Sequence, residues 1–507
     1  MHTIRARIRL RQGIRPPISN ETRFSRSRIS YTIPREKQWF RRWNCLLHTL
    51  SAPSQPQALP LAISHGLSTV DCNEESLYRY TSGRWLWNEN EQLSRRYVKF
   101  NLDELVRIAV RVTGSSSCIQ VQKLPEGNFS KVFLITMDDN KEVIAKLPNP
   151  NAGRPHFTTA SEVATMDYVR NVLNIPTPKV YKWSSSAATP VGAEYIIMER
   201  SRGVELSRLW DDMPGSEKFQ IVKQLVGFEK SLVSSQFPMY GSLYYAKDLP
   251  DVRPSQVVGI GSKQDTVDSV FAIGPTTNRN FFDDGRDAVD VNRGPYLHGD
   301  NIFVNPDRPT EILSIIDWQA VNLSPLFLQA RHPALVEFEG PIPEGPGSIN
   351  LPDNFDELNP EEQLEAKKLR AAQSLYKLYD IQLIQQCPDI AHALRFKYSL
   401  AGQITGLAGS IFSDGEPIVQ GMLMRLQEEW PSSTGLSIPC PLSFTAKEKE
   451  TQREEAEKWA TGVELMEKFL HQVGAYRGWD GWVNHDNYEH YKERFDRCRE
   501  QFLNSTR

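Results

Sequence analysis

Four short stretches carry residues whose types and order could hold and transfer a phosphoryl group. The first is LPEGNFSKVFLITM, where Gly127, Asn128 and Ser130 precede or open an apolar run. A glycine there lets backbone N–H groups approach a phosphate, although an ordinary turn uses the same residues. The second is VIAK, which ends on Lys146. A lysine closing a strand behind a glycine turn is placed to hold ATP phosphates. The plain alternative is a solvated strand lysine. The third is TTASEVATMDYVRNVL, where Glu162 is placed in the first turn of a helix and could pair with Lys146. Thr159-x-x-Glu162 is also the spacing of a capping box, and one carboxylate can hardly do both. The fourth is ILSIIDWQ, where Asp317 ends an apolar strand. A carboxylate there is costly unless a cation or capping donors meet it, and Mg²⁺ is the natural cation.

These residues need elements to position them. The runs KVFLITM (131–137) and EVIAKL (142–147), joined by DDNK, read as a β-hairpin. Asn101 followed by Glu104 starts a helix with Leu102, Leu105, Ile108 and Ala109 on one face. Residues 158–173 are helical, and EYIIMER (194–200) is a short buried strand. Residues 100–200 therefore predict helix, hairpin, helix and strand, an α+β lobe. Helical periodicity dominates afterwards, at 216–235, 360–386, 416–430 and 446–472. The stretch 238–295 is rich in Gly, Asp, Pro and Asn and holds no apolar-periodic window of helix length.

The totals exclude several classes. A net charge of −3 over 507 residues gives no global pull toward nucleic acid. No apolar run reaches the roughly 18 residues of a membrane span. Cys45, Cys72, Cys118, Cys387, Cys440 and Cys498 lie far apart with no C-x-x-C pair. That argues against zinc and a disulfide framework, and for a reducing compartment. The first fifty residues are rich in Arg and Ser, with Glu21 and Glu36 as their only acids. This is the composition of a mitochondrial transit peptide, and a disordered basic arm is the alternative.

In order along the chain, these stretches resemble the aminoglycoside phosphotransferase superfamily, a protein-kinase-like fold. More narrowly they resemble the fungal altered-inheritance-of-mitochondria phosphotransferases. The texts YTSGRWLWNE, EGNFSKVF, ASEVATMDYVR, TPVGAEYIIMER and NIFVNPDRPTEILSIIDWQAV carry the likeness, from about Ser76 to the C-terminus. The resemblance implies an α+β, bilobal kinase-like fold: a presequence and link at 1–65, a small β-rich N-lobe at 66–200 and a mainly helical C-lobe at 201–507. It implies ATP and Mg²⁺ as cofactors and a small hydroxyl-bearing molecule as phosphoryl acceptor. Gly127, Ser130, Lys146, Glu162 and Glu199 become the nucleotide-binding set, and Asn301 and Asp317 the metal ligands.

The family's catalytic loop reads H-x-D-x-x-x-x-N, and YLHGDNIFVN (296–305) fits it in two registers. In the first, His298-Gly299-Asp300 is H-x-D and Asn305 the asparagine. That puts Ile302, Phe303 and Val304 inside a loop that should be polar. In the second, Asn301 holds metal, 302–304 is a strand, NPDRPTE is the turn and ILSIID returns to Asp317. Periodicity and turn chemistry favour the second. It leaves Tyr296 where the catalytic Asp belongs and Asp300 as a substitute base. The resemblance also implies that a block containing a core helix and H-x-D is missing between Pro295 and Tyr296, which would expose apolar C-lobe surface.

Two further function classes stand beside the enzyme. One is a pseudokinase that holds nucleotide without transferring phosphate. The other is an interaction protein using the charged helix 446–472 with Trp459 and Phe469, where a solvated helix packed through one face is preferred. Asp283, Asp284 and Asp287 would suit a cationic acceptor, and a solvated loop suits them better.

Overall fold

The computed structural model describes residues 61–62 and 74–505, apart from residues 236, 238, 251, 253–255, 259–270, 278–301, 320, 322, 344, 346, 408–414, 436 and 476–478. Every described residue lies in one compact unit, Leu46–Arg507. The expected presequence through residue 60, the acids at 283–287, His298, Asp300 and Asn301 fall outside the described residues.

The N-terminal half is built on a six-stranded antiparallel sheet. Its strands are β1 (Leu61–Ala62), β2 (Cys118–Lys123), β3 (Ser130–Met137), β4 (Glu142–Pro148), β5 (Val180–Ser184) and β6 (Tyr195–Glu199), in spatial order β1-β2-β3-β4-β6-β5. The expected hairpin is β3–β4, with Phe133 opposite Ala145 and Val132 opposite Lys146. Leu61–Ala62, expected inside the link, pairs with Val121 and Gln120 at the sheet edge. Strand side chains alternate between faces. Phe133, Ile135, Ala145 and Leu147 join Leu105 and Ala109 of helix α1 (Leu102–Thr113) in one buried core. Lys146, lying between Ala145 and Leu147, is thereby sent to the opposite face. The α1 start is as expected: the Asn101 side chain accepts from Glu104 N–H at 3.0 Å.

Helix α2 (Phe157–Asp167) packs on that opposite face. The sequence reading ran this helix to 173. The structure instead widens at Tyr168–Val172, where Leu173 N–H bonds the Tyr168 carbonyl at 3.2 Å, five residues back. A short strand β7 (Val204–Glu205) leads to helix α3 (Gly215–Ser234). Residues 238–295 yield a two-stranded ribbon among their described residues, β8 (Ser242–Tyr245) with β9 (Phe271–Gly274). The sequence reading missed it because SLYY and FAIG are isolated four-residue runs in polar text.

Strands β10 (Ile302–Val304) and β11 (Ile312–Ile315) form a hairpin that β7 extends, in order β11-β10-β7. Gly203 makes the close approach: at φ +89° its missing Cβ would lie 2.1 Å from the Val304 carbonyl oxygen.

The helical half contains α4 (Pro360–Gln386), α5 (Pro388–Tyr398), α6 (Glu416–Glu428), α7 (Ala446–Val473) and α8 (Tyr488–Ser505). The apolar faces of α3, α4 and α5 share a core of Val222, Val226, Leu375, Tyr379, Leu383 and Leu394. Helix α7 buries only Val473 fully and is otherwise the expected solvated helix. The far end of the chain returns to the N-terminal half in a separate two-stranded ribbon. Trp482–Val483 pairs with Arg84–Trp85, Trp85 Nε1 donates to Asp480 at 2.9 Å, and Arg84 stacks 3.5 Å above the Tyr488 ring. Among the described residues no helix is long and apolar enough to cross a membrane.

Candidate functional site

Lys146, Glu162 and Asp317 meet in one cluster. Lys146 Nζ lies 2.7 Å from Glu162 Oε1 and 3.1 Å from Asp317 Oδ1. The pairing follows from local folding. The register of β4 aims Lys146 at α2, and Glu162 stands in the second turn of α2, not the first. The capping box read from Thr159-x-x-Glu162 does not form. Glu194, beside β6, takes that role, accepting from His156 N–H at 2.7 Å and from the Thr159 hydroxyl at 2.6 Å. Glu162 is left for the lysine.

Burial works against the Lys146 ammonium, but the Glu162 and Asp317 carboxylates outweigh it and hold its pKa above the usual lysine range. Burial pushes the Glu162 carboxyl up, with Lys146 opposing. Asp317 differs from its partners. It ends the β11 segment on a left-handed backbone, φ +61°, with its side chain 47% exposed. Such a conformation is uncommon outside glycine and is strained unless the surroundings fix it. Here Trp318 fixes it: the indole is buried and donates to the Ile315 carbonyl at 3.0 Å. Lys146 takes one Asp317 oxygen, leaving a half-exposed carboxylate able to meet a cation. Hard oxygen donors of this kind fit Mg²⁺. Among the described residues no group of three or more His, Cys, Asp or Glu gathers as a metal cage.

The glycine loop is held from behind. Gly127 and Asn128 are exposed, and Gly127 has open space where a Cβ would stand. Next to them Glu126 is buried. It contacts Lys131 Nζ at 2.5 Å and Lys123 Nζ at 3.0 Å, and accepts from Thr81 N–H at 2.7 Å. Its own N–H donates to the Ser82 hydroxyl at 2.6 Å. Lys131 is fully buried, and that burial lowers its pKa to about 8 despite Glu126. The sequence reading passed over Glu126 as loop text; its only signal was an acid three residues past the end of β2. Ser130 is buried 3.5 Å from Gln319 Oε1, and Gln319 Nε2 donates to the Ala152 carbonyl at 3.2 Å. Gln319 thus links the loop after Asp317 to the sheet, another residue the sequence reading missed.

Glu199 stands apart from the lysine cluster. Its carboxylate accepts from Lys179 N–H at 3.1 Å and lies 3.6 Å from Arg170. The two catalytic-loop registers are separated by Asn305. Its side chain accepts from Asp307 N–H at 3.0 Å and donates to Glu311 at 2.9 Å, so it caps the hairpin turn. Strands β10 and β11 occupy the positions the second register requires. Asp300 and Asn301 themselves lie outside the described residues.

A second feature lies behind the hairpin. A cavity of about 460 Å³ opens between α3, β10–β11 and the segment 321–335. Leu225, Phe228, Leu232, Ile302, Trp318 and Leu335 are among its walls. Glu229 also lines it, accepting from the Tyr379 hydroxyl at 2.9 Å, and burial raises its pKa to about 7.

Sheet order, the strand lysine paired to a helix glutamate and the strand-end aspartate make this a kinase-like α+β fold. No family model matches the chain. Its relatives include the altered inheritance of mitochondria protein 9, mitochondrial, of Yarrowia lipolytica, 22% identical over 83% of this chain and 86% of that one. That is the group its motifs resemble. A subtelomeric hrmA-associated cluster protein of Aspergillus fumigatus is 26% identical over 73% of this chain and 91% of its own length. Similar solved structures include the GDP complex of aminoglycoside 2'-phosphotransferase-IIIa, with 14% identity, covering 66% of this chain and 99% of that one, TM-score 0.29. A thermostable aminoglycoside phosphotransferase APH(4)-Ia with AMP-PNP and hygromycin B has 14% identity, 57% and 94% coverage and TM-score 0.25.

The two relatives are longer than this chain inside the matched region. The Aspergillus match runs over 479 positions, yet 73% of 507 residues is about 370, leaving about 109 positions without a counterpart here. The Yarrowia match runs over 508 positions against 83% of 507, about 421, leaving about 87.

Proposed function

We propose that this chain binds Mg-ATP at the Lys146–Glu162–Asp317 cluster and serves phosphoryl transfer to a small hydroxyl-bearing molecule. The observation that carries the reading is the buried lysine clamped between two carboxylates, at 2.7 and 3.1 Å. In this chemistry a fixed lysine holds the α- and β-phosphates, and backbone N–H groups of a glycine loop cover them. Gly127, with open space around it, supplies the loop, and buried Ser130 anchors its return. Asp317 would hold Mg²⁺, which when bound neutralises charge developing on the phosphates. Glu199, at the end of β6, enters the nucleotide-binding set by the resemblance alone, its carboxylate being engaged by Lys179 N–H and Arg170. The acidic, Gly-rich 278–301 text carries Asp300 and Asn301, the substitute base and second metal ligand of this reading.

The domain division follows from this role: a β-rich N-lobe to about residue 200 and a helical C-lobe beyond it. The Arg-rich, acid-poor first fifty residues and the mitochondrial relatives together support a mitochondrial location.

A second reading has its own observation. Asn305 is committed to the hairpin turn, so the register that supplies H-x-D is the disfavoured one. The chain then has Tyr296 where the base belongs and acts as a nucleotide-holding pseudokinase. One experiment separates the two. Melts with and without millimolar Mg-ATP read binding, and ADP release with hydroxylated acceptors reads turnover. A Mg-ATP shift abolished by Lys146→Met, with no turnover, selects the pseudokinase. A shift with turnover selects the enzyme, and no shift at all removes both.

A further inference from the structure

We propose that Asn149 is a positioning residue for the glycine loop: its side-chain amide draws the Asn128 carbonyl inward, so that the loop offers N–H groups rather than carbonyl oxygens to the phosphates. This deepens the Mg-ATP reading and rests on it.

The sequence sets the residue in place. In LPNPNAG, Asn149 stands between Pro148, the last residue of β4, and Pro150, three residues beyond Lys146. A residue before proline is confined to extended backbone, and Asn149 has φ −97° and ψ 170°. Its side chain therefore starts from a backbone that is already fixed. The residue is 5% exposed. Its backbone N–H donates to the Phe129 carbonyl at 2.8 Å. Its Oδ1 accepts from Asn151 N–H at 2.9 Å, and its Nδ2 donates to the Asn128 carbonyl at 3.1 Å. The first of these side-chain contacts sets the second. With Oδ1 turned to an N–H, the amide must present Nδ2 to the loop.

Two adjacent loop carbonyls, of Asn128 and Phe129, thus converge on one residue. In a trans peptide the N–H points opposite to the carbonyl. Holding the Asn128 carbonyl against a buried amide turns the following N–H the other way, toward the exposed side of the loop. Released, the peptide unit could rotate and bring a carbonyl dipole to an anion, where an N–H is needed. Glu126 holds the loop from behind through Thr81 and Ser82, whereas Asn149 sets the direction of its peptides. The same residue reaches toward the metal-facing carboxylate. Asn149 opens the short turn Pro150–Ala152, and its carbonyl accepts from Ala152 N–H at 2.8 Å. The Ala152 carbonyl in turn accepts from Gln319, two residues past Asp317. Glycine loop and Asp317 segment therefore hang on one chain of hydrogen bonds.

The test sets two roles of Asn149 against each other. As caps of a helical turn, Asn, Asp and Ser are nearly equal. As donors to the Asn128 carbonyl they are not: serine is one atom too short, and aspartate replaces the N–H with a second acceptor. Asn149→Ser and Asn149→Asp are titrated with Mg-ATP by calorimetry, and amide exchange over residues 127–130 is followed without nucleotide. Mg-ATP affinity is expected to fall about two- to tenfold in Asn149→Ser and more than about tenfold in Asn149→Asp. The loop amides should exchange faster in the same order, while Asn151 and Ala152 keep their rates. Asn149→Ser adds no charge and reads the role even where Asn149→Asp does not fold. Equal affinities in parent and variants overturn the role and leave the Mg-ATP reading standing. So does an equal loss in both variants with faster exchange at Asn151 and Ala152, which is the signature of a cap alone. A parent that takes up no Mg-ATP overturns both.

Discussion

Replacing Asp317 with asparagine separates the chemistry of the cluster from its architecture. The backbone at Asp317 has φ +61°, a region that asparagine enters more easily than other non-glycine residues. The substitution keeps the shape and removes the charge. The ion pair lost is 3.1 Å long, but the Asp317 side chain is 47% exposed and water screens it. The loss is therefore about 1 kcal/mol or less. Glu162 remains at 2.7 Å to hold the Lys146 ammonium. The melting temperature without ligand should fall by no more than about 4 °C. Ligand stabilisation behaves differently. In the parent, Mg-ATP at about 100 times its Kd adds about 2.7 kcal/mol. In Asp317→Asn that gain should disappear, because a neutral amide replaces the metal-facing carboxylate. Asp317→Ala is the comparator: alanine at this φ costs about 1–2 kcal/mol more, so it should melt below the asparagine variant. Calorimetric melts with and without Mg-ATP read all three proteins. An asparagine variant that keeps the full Mg-ATP shift, or melts as low as a broken buried ion pair, would refute the reasoning.

Glu162→Gln strips buried Lys146 of its nearest carboxylate and should cost about 3 kcal/mol in urea unfolding, well above Asp317→Asn. Glu126→Gln should destabilise by a similar ~3 kcal/mol, since it leaves buried Lys131 without its carboxylate. It should also weaken Mg-ATP binding in titration calorimetry, by freeing the Gly127 loop. Glu229 sets a pH dependence. Its folded pKa of about 7 lies above the roughly 4.3 of an unfolded glutamate, so its contribution is whole below about pH 4 and lost as pH rises through 7. Glu229→Gln should flatten urea midpoints between pH 4.5 and 7, removing a change of at most about 3 kcal/mol.

The parts of the fold that announce themselves in sequence are those where one local rule acts alone. Asn101 and Glu104 mark a helix start, and the DDNK turn between two apolar runs marks a hairpin. Helix α4 spans the 360–386 that periodicity predicts, opened by a capping box at Asn359. The cluster was legible in part for the same reason: Lys146 and Asp317 close apolar strands where a charge needs a partner. Glu162 was ambiguous because Thr159-x-x-Glu162 satisfies a local rule that a distant residue, Glu194, overrides. Glu126 and Gln319 were invisible because their partners, Thr81, Ser82 and Ala152, lie far away in sequence. The β8–β9 ribbon was missed because pairing across more than twenty residues of polar text leaves no local trace.

The ribbon joining Arg84–Trp85 to Trp482–Val483 bears on when the site can form. Trp85 and its partner Asp480 are 395 residues apart. Thr81 and Ser82, which grip Glu126 behind the glycine loop, lie a few residues before that ribbon. A contact of such sequence separation is slow to close, and here it also waits for synthesis. At about 5–20 residues per second, a ribosome takes roughly 20 to 80 s to travel from Trp85 to Asp480. Through that interval the strands of the sheet can pair, while the backing of the loop stays undone. A product stopped short of Trp482 is therefore a chain whose nucleotide loop never receives its final support, even with every cluster residue present.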